Sequence, residues 1–381
     1  MKRIGHLMEL IAEPDNLRLA FWRASRANAA KAEVLQFRAR LEDELIALRQ
    51  GLLDGNYPVG RFQRFIVHDP KERVIHAPCF RERVLHHAIM NVCEPVFERW
   101  LVSDSYACRK GKGQWAAVRR AERFAARASF FIKFDVRKYF DSVSHERLMG
   151  MLRGRFKDPV LVRWFERLLG TYHTQPGHGL PIGSLTSQHL ANFYLGALDR
   201  FVKEELRCRY YVRYMDDCVV WAEESEGLRE VLGHIEEFVA VELDLTLKPV
   251  PYVNRTARGM DFLGCRVFPG YSTLNRRSRR RFRSKLRQYE TNHEDGVWDE
   301  ACLQRHVEPL LAFTRQVRAW GFRSKVLKDL GARPIGLQPR EPRGQLEQQR
   351  QELPGREPQQ QLARQQEQQP RVPRRPSSGQ G

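Results

Sequence analysis

The chain has 381 residues, of which 65 are Lys or Arg and 46 are Asp or Glu, giving a formal net charge of +19 at pH 7. Its hydrophobic content of 42% excludes a wholly disordered chain, and the sequence contains no apolar stretch of the roughly 18 residues that a membrane span needs. The charge excess is larger than solubility requires, so we expect a polyanionic partner, foremost a nucleic acid.

The cysteines and the N-terminal residues bear on the cellular compartment. Seven cysteines are scattered along the chain without a CxxC pair, which favours reduced thiols over a disulfide framework or a zinc site. The start, "MKRIGHLMELIAEPDN", has too short an apolar run for a signal peptide. We therefore expect a soluble, cytoplasmic protein that makes no membrane contact.

The first third of the chain reads as helices, a hairpin and another helix. Apolar periodicity in "LRLAFWRASR" and "LQFRARLEDELIALRQGLLDG" predicts helices within residues 1–57, closed by Gly55. "RFIVHDPKERVIHAP" alternates on both sides of Asp69-Pro70 and predicts a β-hairpin. "FRERVLHHAIMNVCEPVFERWL" predicts a helix, on which His86-His87 has no acidic or cysteine company and therefore predicts no metal site.

The middle of the chain predicts a sheet. "SFFIKFDV" (129–136) is a short apolar strand, and Ser144 is placed to cap the helix "HERLMGMLRGRF". After the loop "PGHGLPIGS" and the helix "LTSQHLANFYLGALDRFVKEEL" come the strands "YYVRY" and "CVVWA", a helix, and "MDFLGCRVFPG" as a further hairpin. The order β-α-β-β-α-β predicts a split βαβ sheet with helices on one face.

The last part of the chain divides by composition. Residues 271–331 read as helical and very basic, and the segment "RRSRRRFRSKLR" would track nucleic-acid phosphates. An ordinary solvated helix is the alternative. In residues 332–381 apolar residues thin out and Pro, Gln, Arg and Gly dominate, which predicts a disordered tail.

Three carboxylates lie where the predicted strands end. Asp135 closes an apolar strand, and Asp216 and Asp217 lie between two others. Such positions are costly for a carboxylate unless a cation neutralises it. Two Mg²⁺ ions held by Asp135 and Asp216, with Asp217 beside them, would suit in-line phosphoryl transfer. The alternative is that Asp-Asp only makes a tight turn.

Several segments resemble the motifs of reverse transcriptases. "YMDD" at 214–217 looks like their signature, "FDVRKYFDSV" at 134–143 resembles their first catalytic segment, and "FLGCRV" at 262–267 resembles their primer-grip hairpin. "KERVIHAPCFRERVLHHAI" resembles the fingers segment. The match follows the family's motif order over roughly residues 15 to 330, which makes chance a poor explanation.

This resemblance implies an RNA-directed DNA polymerase with an α+β right-hand fold of fingers, ferredoxin-like palm and helical thumb. The implied divisions are an N-terminal helical extension (1–57), fingers (58–128), a palm with the catalytic site (129–270, with an insertion around 156–185), a thumb (271–331) and a disordered tail (332–381). The implied partners are template RNA, the cDNA primer and product, and deoxynucleoside triphosphates. The implied cofactor is a pair of Mg²⁺ ions, with Mn²⁺ as a substitute.

The resemblance also implies a role for each matched residue. The catalytic residues would be Asp135, Asp216 and Asp217, and the metal ligands would be these three together with Val136. The residues that bind the incoming nucleotide would be Lys71, Arg73, Phe140, Ile182, Gly183 and Lys248. The residues that bind primer and template would be Phe262, Leu263, Gly264, Arg279, Arg280 and Arg283.

Two of the nucleotide-binding roles have a physical reason and a plainer alternative, and a third rests on the resemblance alone. The ring of Phe140 would clash with a ribose 2′-hydroxyl and so select deoxynucleotides, although core packing explains the residue as well. Arg73 on the hairpin is an apt triphosphate ligand, and a solvated edge strand is the alternative. Lys248 lies where the family keeps a lysine that can protonate the departing pyrophosphate.

One loop distinguishes among reverse transcriptases. Most have Pro-Gln-Gly where this chain has Pro181-Ile182-Gly183. Together with "IGSLTSQ", "SYACRKGKG" at 105–113 and "LRLAFWRASR", this loop resembles the enzymes of diversity-generating retroelements. Those enzymes copy a template-repeat RNA with misincorporation opposite adenines, and they work with a small, basic, barrel-shaped oligomeric accessory protein.

Ile182 would be the fidelity residue in this interpretation. An isoleucine removes polar support beside the nascent base pair and so lowers discrimination. The alternative is that Ile182 only packs in a faithful polymerase. The rival functions are another reverse transcriptase class (a retron, intron-maturase or phage-defence enzyme) and a non-catalytic RNA-binding scaffold with a polymerase fold.

The tail has an unusual glutamine rhythm, "QLEQQRQELPGREPQQQLARQQEQQP", from Gln345 to Pro370. Glutamine codons are CAA or CAG, so when the next codon begins with C, the frame one base later reads AAC or AGC. We therefore predict that the 3′ end of the gene overlaps an asparagine-rich template repeat. An ordinary low-complexity tail that binds RNA through its arginines is the alternative.

Overall fold

The computed structural model describes residues 3–26, 28–68, 72–249 and 253–329. Lys71, the hairpin turn Asp69-Pro70 and the predicted tail 332–381 lie outside the described residues. The chain divides into two compact units, Met1–Arg323 and Ser324–Gly381, and the fold and the site below belong to the first.

The N-terminal residues form helices, as their periodicity predicts. These helices are α1 (Leu7–Ile11), α2 (Pro14–Ser25), α3 (Ala32–Ala39) and α4 (Leu41–Asp54). Gly55 ends α4 in the left-handed conformation, with φ of 71°, which glycine adopts without steric cost. The ring of Phe21 on α2 lies 5.5 Å from that of Phe37 and 6.0 Å from that of Phe80, so aromatic packing joins these helices to the rest of the core.

A hairpin and two helices follow. Strands β1 (Phe62–His68) and β2 (Glu72–Pro78) pair antiparallel and confirm the predicted hairpin strands, with Phe62 opposite Pro78. Helix α5 spans Phe80–Trp100, and α6 spans Gln114–Ala125. Nearly all of β1 is exposed, whereas β2 is partly buried beyond its first two residues.

The central sheet contains four strands, which are β3 (Phe130–Asp135), β4 (Tyr210–Tyr214), β5 (Asp217–Ala222) and β6 (Asn254–Arg255). Their order is β4-β5-β3-β6 and each neighbouring pair is antiparallel, which confirms the predicted split βαβ sheet. The connecting helices are α7 (Tyr139–Ser142), α8 (His145–Arg153), α9 (Pro159–Leu169), α10 (Leu185–Tyr194), α11 (Gly196–Arg200), a π-helical turn (Phe201–Glu205) and α12 (Ser225–Val241). Ser144 caps α8 as predicted, because its hydroxyl accepts the Arg147 N–H.

Both faces of this sheet are covered, whereas the sequence predicted helices on one face. Alternate residues of each strand enter different clusters, since successive side chains of a strand point to opposite faces. Ile132 and Val220 pack into the large helical core, while Phe131 and Val219 pack into a second cluster. The second cluster contains side chains of α6 and of a smaller sheet that periodicity alone did not place there.

That smaller sheet corrects two sequence predictions. It consists of β7 (Met260–Phe262), β8 (Cys265–Phe268) and β9 (Tyr271–Leu274). The predicted hairpin therefore belongs to a separate sheet, and the fourth strand of the central sheet is the two-residue β6. Between them a short 3-10 helix (Thr256–Arg258) and Gly259, with φ of 74°, redirect the chain.

The basic region begins with a strand, so the prediction of helix from residue 271 is wrong at its start. Pairing of β9 with β8 holds Tyr271–Leu274 extended. The helices that follow are α13 (Arg276–Glu294), α14 (Glu300–Arg315) and α15 (Trp320–Asp329). Asn275 caps α13 by accepting the Ser278 N–H at 2.9 Å. No helix among the described residues has both the length and the apolar character to cross a bilayer.

Candidate active site

Three carboxylates meet at one end of the central sheet. Asp135 is the last residue of β3 and lies directly opposite Asp217, the first residue of β5. Asp216 belongs to the two-residue turn that joins β4 to β5, where Tyr214 pairs with Asp217. The antiparallel register therefore brings together residues about 80 positions apart in the sequence.

Two lysines neutralise part of this charge. The Lys248 ammonium lies 2.5 Å from Asp135 Oδ2, and the Lys248 N–H donates to the Asp135 carbonyl at 2.8 Å. The Lys133 ammonium lies 2.9 Å from Asp217 Oδ1. Sequence reasoning found Lys248 but missed Lys133. The signal was available, because a residue two positions before Asp135 on a strand shares its face.

The carboxyl groups are crowded and partly removed from water. Burial raises the pKa of Asp216 to about 6, and the neighbouring charge of Asp135 adds to this shift. Burial also raises the pKa of Asp217, against the opposing charge of Lys133. Within the described residues Asp135 Oδ1 is buried without a hydrogen-bond partner. Such a group has capacity for a cation or a donor that the protein itself does not supply.

The donor set suits a hard divalent cation shared by two carboxylates. The pKa of Asp216 responds directly to the charge of Asp135, so these two groups are close enough to act together. Val136 follows Asp135 directly and is fully buried. In the described part of the chain no three His, Cys, Asp or Glu side chains are grouped so as to hold a metal ion by themselves. A cation here would need further oxygens from backbone, water or substrate, as Mg²⁺ usually does.

The turn that carries Asp216 is strained and braced. Met215 has φ of 55°, a conformation that two-residue hairpin turns usually assign to glycine or asparagine. The buried Arg213 guanidinium donates to the Met215 carbonyl at 3.0 Å. Positive φ in a non-glycine residue persists when the surroundings fix it, and Arg213 is such a fixture.

Arg213 is held by a fully buried network that sequence reasoning missed. Its Nε and Nη2 each donate to the Asp199 carboxylate at 2.6 Å, and Nη1 donates to Asn192 Oδ1 at 2.8 Å. The Tyr211 hydroxyl also donates to Asp199, at 2.8 Å. Burial by itself lowers the pKa of Arg213, but the charge of Asp199 outweighs burial and raises it. A charged residue within the apolar strand "YYVRY" was the only sequence signal.

The loop with Ile182 is attached to the hairpin. The Ile182 carbonyl accepts the His76 N–H of β2 at 2.7 Å. Gly183 has φ of 115°, and a Cβ at that position would lie 2.7 Å from Ile75 Cγ2, so glycine is required for this approach. Arg73 lies exposed on the same strand. Ile182 and Arg73 are therefore carried by connected segments.

Phe140 is connected to the same loop from the other side. It lies on α7, is half-buried, and packs against the large helical core. Its carbonyl accepts the Leu180 N–H at 2.7 Å. The half-buried position suits both a packing role and a surface role for this ring.

A groove runs from Lys133, the partner of Asp217, to the basic helix α13. Lys133, which pairs with Asp217, also lies 5.8 Å from the centre of the Phe262 ring. Lys133, Phe262, Leu263, Gly264 and Arg280 line one cavity of about 560 Å³. Four of the predicted primer and template residues thus share a cavity with Lys133, which pairs with Asp217.

A larger cavity of about 950 Å³ continues along α13. It is lined by Arg279, Arg280 and Arg283 among other residues. The guanidinium groups of Arg279 and Arg283 lie 5.8 Å and 5.1 Å from the Phe322 ring. Of these three arginines, Arg280 also lines the smaller cavity that contains Lys133.

The Leu263-Gly264 turn is also strained. Both residues have positive φ, 49° and 80°, as a two-residue hairpin turn of this kind requires. The Leu263 carbonyl accepts the Gln114 side-chain N–H at 2.7 Å. Gln114 was missed, since nothing in the sequence connects it to a turn 149 residues away.

His86 has acidic company, contrary to the sequence interpretation. Its Nε2 lies 3.5 Å from Glu82 Oε1, one helical turn earlier on α5, and both side chains are buried. The i,i+4 spacing was the signal that sequence reasoning passed over.

Comparisons with known proteins give one matching family model and several similar proteins. Residues 68–267 match the family model of the reverse transcriptase (RNA-dependent DNA polymerase). Protein YkfC of Escherichia coli (strain K12) is 25% identical over 320 residues, which cover 70% of this chain and 83% of that protein. Group II intron-encoded protein LtrA of Lactococcus lactis subsp. cremoris is 27% identical over 171 residues, covering 42% of this chain and 28% of LtrA. A solved apo telomerase from Candida tropicalis, truncated from its C-terminal domain, superposes with a TM-score of 0.45 at 11% identity, over 56% of this chain and 55% of the telomerase.

Proposed function

The chain belongs to the reverse transcriptase (RNA-dependent DNA polymerase) family, and from this premise we propose that it copies a template-repeat RNA into adenine-mutagenised cDNA for a diversity-generating retroelement. Family membership confirms the predicted enzyme class and the right-hand polymerase fold. The observation that carries the catalytic part is the pairing of Asp135 with Asp217 beside the turn of Asp216.

The carboxylates are proposed to hold Mg²⁺. Asp135 and Asp216 fit this role because their charges interact and because Asp135 Oδ1 is buried without a partner in the described residues. Asp217 and Val136 complete the proposed set. When bound, Mg²⁺ would supply Lewis-acid activation of the primer 3′-hydroxyl and neutralise the leaving pyrophosphate.

Lys248 is proposed to donate a proton at the site, and Lys133 is proposed to neutralise charge there. Lys248 pairs with Asp135 and is exposed enough to turn toward a leaving pyrophosphate, to which its ammonium would give a proton. Lys133 shields Asp217 and lies against Phe262, so it would keep that carboxylate ionised while the primer end is seated on the β7–β8 turn. Together they maintain the balance of charge before and after the reaction.

Nucleotide selection is assigned to the segments that surround Ile182. Arg73 would bind the triphosphate, Phe140 would exclude a 2′-hydroxyl, and Gly183 would let the backbone approach the hairpin. Lys71 is proposed for the triphosphate on sequence grounds. Ile182 presents an aliphatic side chain where most of the family has glutamine, and loss of that polar group supports low fidelity.

The template and primer are proposed to lie along the groove between the β7–β8 turn and α13. Phe262, Leu263 and Gly264 would seat the primer end, while Arg279, Arg280 and Arg283 would contact backbone phosphates. The excess of Lys and Arg over Asp and Glu, 65 against 46, suits such a partner. A small, basic, oligomeric accessory protein would act with the enzyme, as the resemblance to retroelement enzymes implies.

A second candidate is an intron-type reverse transcriptase. The match to LtrA, described as a group II intron-encoded protein, favours it. The chain spans little more than a quarter of LtrA, so this likeness concerns the polymerase portion. An intron-type enzyme would copy RNA with errors spread over the four template bases.

Sequencing of cDNA made in vitro separates the two candidates. The full chain is incubated with an RNA template, an annealed DNA primer, the four deoxynucleotides and Mg²⁺, with and without the accessory protein. We expect misincorporation concentrated opposite template adenines, and Ile182→Gln should lower that error rate about tenfold while total synthesis falls less. Ile46→Gln, which makes the same change on an exposed residue of α4, is the control. An even error spectrum in the wild-type enzyme would favour the intron-type candidate.

The gene itself offers a second, independent test. If the glutamine-rich stretch from Gln345 to Pro370 arises from a template repeat, the frame one base later reads runs of AAC. A near-copy elsewhere should then differ from it mainly at adenines. A gene that encodes these glutamines mostly by CAG would place AGC serine codons in that frame and would contradict the overlap.

A further inference from the structure

A buried polar chain joins the base of the β1–β2 hairpin to the loop of Ile182. The backbone N–H groups of Gly60 and Arg61 donate to Glu82 Oε2 at 2.9 Å and 3.1 Å. Glu82 Oε1 lies 3.5 Å from His86 Nε2, and His86 Nδ1 lies 3.4 Å from the Ser184 hydroxyl. These polar contacts thus run from residue 60 to residue 184 through two side chains of α5, with the Glu82–His86 step a close approach of two buried atoms that make no hydrogen bond among the described residues.

Burial excludes a catalytic role for the polar residues that join the hairpin to the Ile182 loop. Glu82, His86 and Ser184 are each exposed by only 1%. The cavity beside them measures about 10 Å³, which is at most the room of one water molecule. An arrangement of serine, histidine and glutamate can serve hydrolysis where a substrate reaches the serine, but none reaches this one. The group is therefore structural or positioning.

The Ser184 hydroxyl takes part in these polar contacts rather than in capping a helix. It occupies the N-cap of α10, where a serine hydroxyl ordinarily accepts a backbone N–H of the first turn. Here its side chain makes no such bond. The hydroxyl instead lies 2.8 Å from the Thr186 hydroxyl and faces His86. A helix N-terminus without its cap is less stable, so the contact to His86 is favoured over local helix stability.

The position of Ser184 determines which loop the buried polar residues can influence. Ile182 is two residues earlier, and its carbonyl is already held by His76 of β2. The loop is therefore fixed on one side by a backbone bond to the hairpin and on the other by a side-chain bond to α5. The first support lies on β2 with Arg73, and the second lies on α5, which follows β2 directly in the sequence.

We propose that Glu82, His86 and Ser184 are positioning residues that hold the Ile182 loop in register with the hairpin and so help to set nucleotide selection. This inference rests on the proposed function of Ile182, and it adds residues that act through the loop without touching the substrate. Release of Ser184 lets the loop move relative to Arg73, and small displacements of a positioning element change nucleotide binding strongly.

Ser184→Ala and His86→Leu test the proposal in steady-state primer extension with the full chain. We expect the KM for deoxynucleotides to rise about fivefold while kcat changes less than about twofold, because the carboxylates are untouched. The ratio of errors at template adenines to errors at the other bases should change at least about threefold. Conservative variants that keep a polar group, Ser184→Thr and His86→Gln, should restore most of both values.

His87→Leu is the matched control, since it makes the same change on the adjacent residue of α5, outside the polar chain. We expect it to leave the KM and the error ratio as in the wild type. Thermal unfolding of every variant separates positioning from support of the fold. If Ser184→Ala and His86→Leu lower only the Tm, with wild-type KM and error ratio in the folded fraction, the proposal is overturned.

The same experiment distinguishes this inference from the proposed function. An even error spectrum in the wild-type enzyme would contradict the role in adenine mutagenesis and leave the KM measurement as the test of the positioning chain. A normal adenine bias in the wild type, unchanged in Ser184→Ala together with an unchanged KM, would contradict the positioning chain alone.

Discussion

Two regions of the molecule use arginine in opposite ways. Beneath the carboxylate site, Arg213 is fully buried and forms two 2.6 Å bonds to Asp199. Along α13, Arg280 and its neighbours line open grooves. The buried arginine stabilises the turn that carries Asp216, whereas the arginines of α13 present positive charge to a bound partner.

This contrast predicts how large the effect of a single substitution is in each region. A buried ion pair is already desolvated, so removal of one partner leaves the other uncompensated in the interior. An exposed cation remains solvated, and its loss changes only a screened attraction. A single substitution at the carboxylate end should therefore have a large effect. A single substitution on α13 should have a small effect, and the effects of several such substitutions should add.

The largest effect is expected at the turn itself. Asp216→Asn should reduce primer extension by a factor of about a thousand or more, because a metal ligand at the reacting groups supplies several kcal/mol. Binding of template RNA should stay near the wild-type value, and the Tm should not fall, because the amide removes a buried ionisable group. Asp43→Asn, on the exposed side of α4, is the control. Extension by Asp216→Asn at the wild-type rate would remove Asp216 from the site.

Removal of the buried brace is expected to be next. Arg213→Ala should lower the free energy of unfolding by about 3 to 5 kcal/mol, measured by urea denaturation, because Asp199 is left buried and unpaired. Arg18→Ala breaks an exposed pair with Glu42 at 2.7 Å and should cost less than about 1 kcal/mol.

The double variant Arg213→Ala/Asp199→Ala sharpens this comparison. We expect it to be less destabilised than the sum of the two single variants, because neither charge remains. Equal losses for Arg213→Ala and Arg18→Ala would mean that burial does not distinguish the two kinds of arginine.

These residues show what the sequence could and could not provide. Strands with period two and a two-residue turn identify Asp135, Asp216 and Asp217, since the chemistry is local to strand ends. Lys133 was within reach by the same periodicity. The Arg213–Asp199 pair needs the packing of α11 against β4, which no local pattern states.

Other features could not be predicted from the sequence, because the element is too short or because the contact joins residues far apart in the chain. Strand β6 has two residues, too few for any periodic signal. His86 meets Ser184 across 98 residues, so only the folded chain reveals the pair. The hairpin β7–β8 was recognised as a hairpin but assigned to the wrong sheet, because strand partners are chosen by packing of side chains from distant segments.

The pH dependence should differ between the two regions. Asp216 has a pKa raised to about 6, so it is mostly protonated at pH 5 and ionised at pH 7. A cation requires the ionised form, and the Mg²⁺ concentration for half-maximal extension should therefore fall about tenfold between pH 5 and pH 7 and level off above pH 7. RNA binding through arginines should be flat over this interval, because guanidinium groups stay charged.

The same group also affects stability without Mg²⁺. The folded state holds the Asp216 proton more tightly than the unfolded chain, whose aspartates titrate near pH 4. The contribution to stability is therefore present at low pH and is lost as the pH rises from about 4 to about 6. Urea denaturation of the wild type and of Asp216→Asn, compared at pH 4 and pH 7, measures it. A difference that grows in favour of the wild type with rising pH would contradict this sign.

The smallest effect is expected for one arginine of α13. Arg280 lines both grooves, whereas Arg279 and Arg283 also lie against Phe322, so Arg280 is the best placed of the three to contact a phosphate. Each phosphate contact releases counterions, and Arg280→Gln should reduce the slope of log affinity against log salt by about 1. Arg153→Gln, which loses only an exposed pair with Glu166, should leave the slope unchanged. Binding of a primer–template duplex measured between low and moderate salt decides the point. If Arg280→Gln and Arg153→Gln give the same slope as the wild type, α13 faces solvent in the complex, and its arginines contribute no phosphate contact.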